Sequence, residues 1–159
     1  PYKAGKMGME LIARSYHDMY ALSVMCLRYS NVYGPRQSEE GPSPNVFAAL
    51  RKAKRETGKL QITGDGTQSR DYTHVSDIVS GLLAAMKSDY CSPIDLCTGT
   101  NTTLLDVAKM FGYPETCGIE FIPERKGDIM HIVQDPKPAE EILGWKSTVK
   151  LVDGIKDVL

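Results

Sequence analysis

The sequence lacks several features that mark specialised classes of protein. Its longest uncharged apolar run, 19–27, is too short for a bilayer, which takes about 20 residues to cross. The 19 basic and 20 acidic side chains give a net charge of −1, so no basic field suits nucleic acid or an anionic membrane. No signal peptide is visible. We therefore expect neither a membrane nor a nucleic acid among its partners.

Cysteines and histidines are also few, and none of them has metal-ligand spacing. The cysteines are Cys26, Cys91, Cys97 and Cys117, and the histidines are His17, His74 and His131. No Cys-x-x-Cys pair occurs among them. This usage favours reduced thiols in a cytoplasmic protein over disulfides, and it predicts no metal site.

What the sequence does contain is typical of one globular domain, with 159 residues, 42% of them hydrophobic and 25% charged. Apolar residues at helical spacing predict helices at about 2–20, 45–54, 76–87, 102–110, 138–143 and 151–159. Shorter apolar runs predict strands at 23–29, 60–63, 94–97 and 120–123. Only 23–29 has the continuous apolar character of a central parallel strand. Alternating strands and helices predict an α/β fold.

Polar and cationic side chains stand in the predicted loops that follow strands, where ligands of α/β sheets bind. Asn31 lies in the loop 30–37, and Arg70 and Arg125 lie in later loops. Two arginines and an amide suit a pyrophosphate, because the guanidinium fork matches anionic oxygens. The alternative is structural, with the arginines in ion pairs to Asp71 and Asp128. The sequence does not decide between these alternatives.

The predicted first helix carries a second chemical pattern. Tyr2 and Lys6 are four residues apart, so they lie about one turn from each other on one helix face. A lysine ammonium stabilises a phenolate, and such a pair can therefore shuttle a proton near neutral pH. Most pairs at this spacing are ordinary surface neighbours, so the spacing alone decides nothing.

Four motifs in order carry a resemblance to a known family. They are Tyr2-x-x-x-Lys6, LRYSNVYGPRQ at 27–37, GDGTQSRDY at 64–72 and RKGD at 125–128. In this order and spacing the chain resembles the extended short-chain dehydrogenases/reductases, and more narrowly the NAD-dependent nucleotide-sugar epimerases and dehydratases. The resemblance implies the carboxyl-terminal part of a Rossmann-type fold. Residues 1–37 would be a remnant of the dinucleotide-binding domain, and 38–159 the substrate-binding region, with some elements returning to the main sheet.

The resemblance also implies a role for each matching residue. Tyr2 would be the catalytic acid/base, Lys6 would bind the nicotinamide ribose of NAD, and Ser30 would contact its nicotinamide end. The implied contacts to the nucleotide sugar are Asn31, Gln61, Ile62, Thr63, Arg70, Tyr72, Arg125 and Asp128, with Gln61, Ile62 and Thr63 lining the base largely through backbone groups. The family's glycine-rich cofactor loop and catalytic Ser or Thr precede the tyrosine, so we expect both to lie outside this chain.

The implied activity is 4-epimerisation of a UDP-hexose by reversible hydride transfer at C4. A 4,6-dehydratase or a UDP-glucuronate epimerase/decarboxylase is the alternative, and a non-catalytic sugar-nucleotide-binding remnant is an alternative of another class. We expect the chain by itself to be inactive. The family further implies a homodimer through the 2–20 helix.

Overall fold

The computed structural model describes residues 1–40, 45–124 and 127–159. The helices are α1 (Tyr2–Tyr20), α2 (Val46–Thr57), α3 (Val75–Ala85), α4 (Leu104–Met110), α5 (Lys137–Leu143) and α6 (Leu151–Gly154), which a 3-10 turn (Ile155–Asp157) continues. The strands are β1 (Leu27–Tyr29), β2 (Asn31–Tyr33), β3 (Lys59–Thr63), β4 (Ser69–His74), β5 (Ile94–Leu96), β6 (Asn101–Thr103) and β7 (Gly118–Ile122). The predicted α/β class is confirmed.

The strands form three small sheets within the described ranges. β1 pairs with β5 and β3 pairs with β7, both in parallel. β4 is the middle strand of the third sheet, parallel to β2 and antiparallel to β6. Asn31 is opposite Tyr72 in the register of β2 and β4, so both side chains project from the same face.

Helix α2 has capping residues at both ends, and it extends to Thr57, past the predicted end at 54. Asn45 is its N-cap, because the side-chain oxygen accepts a hydrogen bond from the Phe47 amide at 3.0 Å. Gly58 ends the helix in the left-handed conformation (φ 73°), which glycine adopts without a steric penalty. The Asn45 amide group also donates to the Val32 carbonyl at 2.7 Å, so the cap ties α2 to β2.

Two hydrophobic cores hold these elements together. The large core consists of Tyr33, Phe47, Leu50, Leu60, Ile62, Tyr72, Leu104, Val107, Ala108, Phe111, Cys117, Ile155 and Val158. Phe47 is at its centre, with its ring 5.0 Å from the rings of Tyr33 and Tyr72. The small core consists of Ile78, Ile94, Leu96, Ala139 and Trp145. Trp145 is 5% exposed there, and its indole N–H donates to the Ser80 hydroxyl at 2.8 Å.

Helix α1 is attached differently from the rest of the chain. It has the predicted bounds, yet none of its residues is buried. Its apolar side chains include Leu11, which is 70% exposed, and Met9, which is 61% exposed. A bidentate ion pair between Glu10 and Arg28 connects α1 to β1. Arg28 Nε and Nη2 lie 2.7 and 2.6 Å from the two carboxylate oxygens of Glu10. Burial therefore contributes little to holding this helix in place.

Several predicted boundaries are wrong. The strand predicted at 23–29 is reduced to Leu27–Tyr29, it pairs only with β5 in the described ranges, and the loop predicted at 30–37 begins with β2. β4 and β6 occupy stretches without a predicted strand, and β4 is the central one of its sheet. The helix predicted at 151–159 ends at Gly154 and continues as a 3-10 turn.

None of the helices in the described ranges has the length and apolar character needed to cross a membrane. All four cysteines are free, and two of them, Cys97 and Cys117, are buried. Burial raises the pKa of the Cys97 thiol to about 12, so this side chain stays a neutral, packed thiol.

Candidate nucleotide-binding cleft

A cleft of about 390 Å³ lies between α2, β3 and β4. Its lining consists of Asn31, Asn45, Val46, Ala49, Leu50, Gln61, Thr63, Gln68, Arg70, Tyr72, Leu104, Ile122 and Asp128. The volume is in the range of small-molecule sites, about 300–1,000 Å³, and the lining has the usual mixture of apolar walls and a few polar groups. Six of the residues predicted to bind the nucleotide sugar therefore share one cavity.

Arg70 is the cationic group of this cleft, and its guanidinium is held in place. Nη2 donates to the Asp128 carboxylate at 2.7 Å, and Nη1 donates to the Ser69 carbonyl at 2.8 Å and the Met130 carbonyl at 3.3 Å. Only 15% of the side chain is exposed. A guanidinium has five N–H donors, and these contacts with described residues use three of them. The group is thus oriented before any ligand arrives.

This ion pair corrects one prediction. Arg70 does form a structural ion pair, but its partner is Asp128 and not Asp71. Arg70 and Asp71 are successive residues of a strand, so their side chains point to opposite faces. Arg70 also belongs to β4 and not to the predicted loop. Arg125, the other predicted phosphate ligand, lies outside the described residues.

Tyr72 and Asn31 are neighbours on the wall of the cleft. Tyr72 is 5% exposed, and burial raises its pKa to about 12 although the nearby Arg70 charge opposes the rise. Its phenol therefore stays neutral at physiological pH, where it can donate or accept a hydrogen bond but is a poor base. The partly buried Asn31 adds an amide beside it.

The amino-terminal end of α2 forms another side of the cleft. Asn45, Val46 and Ala49 line it from the first turn and a half of a helix that has 12 residues. Backbone N–H groups and the helix dipole make such an end favourable to negative charge. It faces the same cavity as the Arg70 guanidinium, so two independent features favour an anion here.

Strand β3 supplies a further wall of the cleft through alternate residues. Gln61 and Thr63 face the cleft, while Ile62 is fully buried in the large core. The Gln61 amide donates to the Glu120 carboxylate at 3.0 Å, and the Gln68 amide donates to the Thr63 carbonyl at 2.7 Å. Only the backbone groups of Ile62 could therefore make the predicted contact with a ligand.

The predicted catalytic and cofactor residues are not part of this lining. Lys6 Nζ lies 5.6 Å from the centroid of the Tyr2 ring, as the helical spacing predicts, and Tyr2 is 77% exposed. Ser30 is buried, and its hydroxyl is 2.6 Å from the Thr73 hydroxyl. The structure therefore contains two separate groups of predicted site residues, the cleft and the α1 pair.

Sequence reasoning missed several residues of the cleft. Asn45 is recognisable from the sequence as a helix cap, and its position after β2 is the feature that could have placed it in the cavity. Gln68 and the apolar wall residues Leu104 and Ile122 carry no comparable local signal, because their roles depend on strands that pair far apart in sequence. The described residues contain no group of three or more His, Cys, Asp or Glu side chains able to hold a metal ion.

Nearly the whole chain is similar to known proteins in sequence and in fold. Residues 1–158 match the GDP-mannose 4,6 dehydratase family. The chain is 33% identical to the UDP-glucose 4-epimerase of Mycolicibacterium smegmatis, over 98% of this chain and 50% of the relative. The crystal structure of UDP-glucose 4-epimerase from Thermotoga maritima with UDP-glucose superposes with a TM-score of 0.90 at 33% identity, over 99% and 52% of the two chains. UDP-glucuronic acid 4-epimerase from Bacillus cereus, in complex with UDP-glucuronic acid and NAD, gives 0.88 at 29%, over 99% and 51%.

The chain belongs to the GDP-mannose 4,6 dehydratase family, and with it to the extended short-chain dehydrogenases/reductases that include nucleotide-sugar epimerases and dehydratases. The resemblance predicted from the four motifs is confirmed. Relatives of similar identity, 33% and 31%, are named UDP-glucuronic acid decarboxylase and dTDP-glucose 4,6-dehydratase. Identity of this order therefore does not single out one reaction. The chain spans between 35% and 52% of the length of the curated relatives it matches.

Proposed function

We propose that the protein carrying this chain is an NAD-dependent nucleotide-sugar 4-epimerase that acts on a UDP-hexose, and that the cleft binds the nucleotide. The observation that carries the proposal is the joint presence of the oriented Arg70 guanidinium and the α2 amino terminus in one cavity of about 390 Å³. A pyrophosphate is the group that such a pair of features suits, because both favour anionic oxygens.

Within this proposal each wall of the cleft has a task. Arg70 and the α2 amino terminus bind the pyrophosphate, and Arg125 assists as a second guanidinium. Asn31 and Tyr72 donate hydrogen bonds to the phosphate or the sugar, and β3 lines the base. Asp128 accepts from Arg70 with one oxygen, which leaves its carboxylate in position to accept from a ribose hydroxyl. The nucleotide is the part of the substrate that does not react. Its tight binding supplies energy that contributes to catalysis at the sugar.

The α1 pair is the proposed chemical half of the site. Tyr2 removes the proton from the sugar C4 hydroxyl, and Lys6 stabilises the phenolate. Both side chains are exposed and one turn apart, so both can reach one ribose, and this arrangement fits the nicotinamide end of NAD. NAD would accept the C4 hydride and return it to the opposite face of the 4-keto sugar. Ser30 keeps its proposed contact near the nicotinamide end, and residues 1–37 remain the proposed dinucleotide-binding portion.

A second candidate is the elimination of water after the same C4 oxidation, as in a 4,6-dehydratase. The name of the matched family and the dehydratase relative favour it, and both reactions would use the same cleft and the same tyrosine. A decarboxylating variant acting on UDP-glucuronate would share the C4 oxidation and differ only in the later loss of carbon dioxide. The exposed apolar side chains of α1 also support the proposal of a homodimer through the 2–20 helix. The four free cysteines support the proposal of a cytoplasmic enzyme, because the cytoplasm keeps thiols reduced.

Incubating the protein that carries this chain with NAD⁺ and either UDP-glucose or UDP-glucuronate separates these activities by mass spectrometry and NMR. A 4-epimerase gives a product of unchanged mass whose C4 configuration is inverted. Loss of water from UDP-glucose identifies the dehydratase, and loss of carbon dioxide from UDP-glucuronate identifies the decarboxylase. Binding of UDP without any turnover identifies the non-catalytic alternative, and absence of both binding and turnover contradicts the proposal.

A further inference from the structure

A buried carboxylate stands directly behind the cleft, in a position that the proposed chemistry does not use. Asp71 is 3% exposed and lies on β4 between Arg70 and Tyr72, the two strand residues that face the cavity. Because side chains alternate along a strand, the Asp71 carboxylate points to the opposite face. Burying a carboxylate costs free energy unless its oxygens accept hydrogen bonds. The donors around Asp71 therefore identify the segments that this side chain holds together.

The closest described partners of Asp71 are neutral donors from the turn between β5 and β6. Its oxygens accept from the Thr98 amide at 3.0 and 3.1 Å, from the Thr98 hydroxyl at 3.0 Å and from the Gly99 amide at 2.7 Å. Gly99 has a φ of +75°, and a Cβ there would be 2.8 Å from a Pro136 side-chain atom. Only glycine can therefore deliver this amide without displacing the segment packed against it.

The hydrogen-bonded network continues along the same face of β4 to Ser30, the residue just before β2. Thr73 is fully buried, and its hydroxyl lies 2.6 Å from the Ser30 hydroxyl and 3.5 Å from the Asp71 carboxylate. Ser30 is the residue before Asn31. The polar side chains of Ser30, of β4 and of the 98–99 turn are thus connected behind three residues that line the cleft.

We infer that Asp71 is a positioning residue for the nucleotide cleft. Its carboxylate, held by the Thr98 and Gly99 donors, fixes β4 between its two partner strands and so fixes the directions in which Arg70 and Tyr72 enter the cavity. The inference rests on the proposed function, since it assigns the positioned groups to nucleotide binding. It predicts that the Asp71 network affects binding in the cleft more than it affects the chemistry at α1.

Asp77 offers a matched control. It is 4% exposed, and like Asp71 it accepts from backbone amides and a hydroxyl, those of Thr148 and Val149 at 2.9–3.0 Å. It is absent from the cleft lining. Asp71→Asn and Asp77→Asn each place an amide group against backbone N–H donors, so both reduce the melting temperature of the protein for the same reason.

The test compares UDP affinity, KM and kcat of these two variants in the protein that carries this chain. We expect Asp71→Asn to raise the Kd for UDP and the KM for UDP-glucose by about tenfold, the equivalent of one misplaced charged hydrogen bond, with kcat within about threefold. Asp77→Asn should lower the melting temperature comparably and leave both constants within about twofold. Equal shifts in the two variants, or no shift in either, would overturn the inference.

Thr98 provides a test that does not depend on whether Asp71→Asn folds. Thr98→Val removes one donor to the carboxylate and Thr98→Ser keeps it, so UDP affinity should fall by about threefold in the valine variant and recover with serine. Equal affinities of these two variants and the unmodified protein would also overturn the inference. Failure of the unmodified protein to bind UDP at all is a different result, since it contradicts the proposed function before any variant is compared.

Discussion

The cleft and helix α1 are built in opposite ways, although both carry residues proposed for one reaction. The cleft is walled by strands and a capped helix over the large core, and its arginine is fixed by three hydrogen bonds. Helix α1 has no buried residue, and its proposed catalytic pair is open to solvent. The difference teaches that the described residues hold a cationic group in a fixed orientation in the cleft, whereas they leave the proposed catalytic pair exposed on a helix without buried residues.

Tyr2→Phe should produce the largest effect, and it should change the catalytic rate without changing nucleotide binding in the cleft. Removing the proposed acid/base should lower kcat of the protein that carries this chain by about a thousandfold, within the range of general acid–base catalysis. The Kd for UDP should stay unchanged, because Tyr2 does not line the cleft. Steady-state kinetics with calorimetric titration of UDP provide both numbers. A parallel loss of kcat and UDP affinity would contradict the separation of the two regions.

The next largest effect is on the unfolding free energy of the 159-residue chain, which should depend on the core beneath the cleft far more than on α1. Phe47→Ala removes the aromatic centre of the large core and should cost about 3–5 kcal/mol of unfolding free energy. Met9→Ala removes an exposed side chain of α1 and should change the same quantity by less than about 0.5 kcal/mol. Urea denaturation with circular dichroism detection measures both. A loss of similar size in Met9→Ala would mean that α1 is packed as firmly as the core.

The smallest effect concerns an ion pair that links α2 to the segment after β2. Arg51 Nε and Arg55 Nη2 lie 2.5 and 2.6 Å from the two oxygens of Glu39, and hydrogen bonds from both arginines lower the pKa of Glu39 from 4.5 to about 2. Because the folded pKa is depressed, the stabilising contribution is fully present above the ordinary value and is lost as the pH falls towards 2.

Glu39→Gln should therefore lower the melting temperature slightly at pH 7, and the difference from the unmodified chain should shrink between pH 4.5 and about 2. Thermal melts across this pH range measure it. The matched control is Glu141→Gln, which removes an exposed carboxylate of α5 and should show no such trend. A difference that stays constant down to about pH 2 would contradict the assigned cause.

The sequence predicted the helices better than the strands, and the reason is physical. Helix starts and stops depend on local chemistry, and residues of the types that favour caps stand at them, Asn45 at the start of α2 and Gly144 at the end of α5. β4 was missed because it buries Asp71 and Thr73 through hydrogen bonds, so its pattern is polar although five of its six residues are buried. The apolar run 23–29 was predicted too long, because apolar character alone does not show where a pairing partner ends.

In the candidate site, too, features carried by local motifs could be predicted, whereas contacts between distant segments could not. The spacing of Tyr2 and Lys6 and the membership of Arg70, Tyr72 and Asn31 in one region could be predicted from motifs. The partner of Arg70 could not, because Asp128 lies 58 residues further along and approaches only through the segment that pairs beside Ser69. The contribution of α2 likewise depended on the tertiary arrangement that aims its amino terminus into the cavity.

The most direct test of the account is a calorimetric titration of this chain with UDP and, separately, with uridine. If the cleft recognises a pyrophosphate through Arg70, UDP should bind at least about tenfold more tightly than uridine, since hydrogen bonds to charged groups contribute roughly 1.5–3 kcal/mol. Arg70→Ala should reduce that advantage, because only the α2 amino terminus and Arg125 then remain to bind the pyrophosphate, and Arg14→Ala, at an exposed ion pair on α1, should leave it unchanged. Equal affinities of the unmodified chain for UDP and uridine, or an advantage of the same size in Arg70→Ala, would contradict the account.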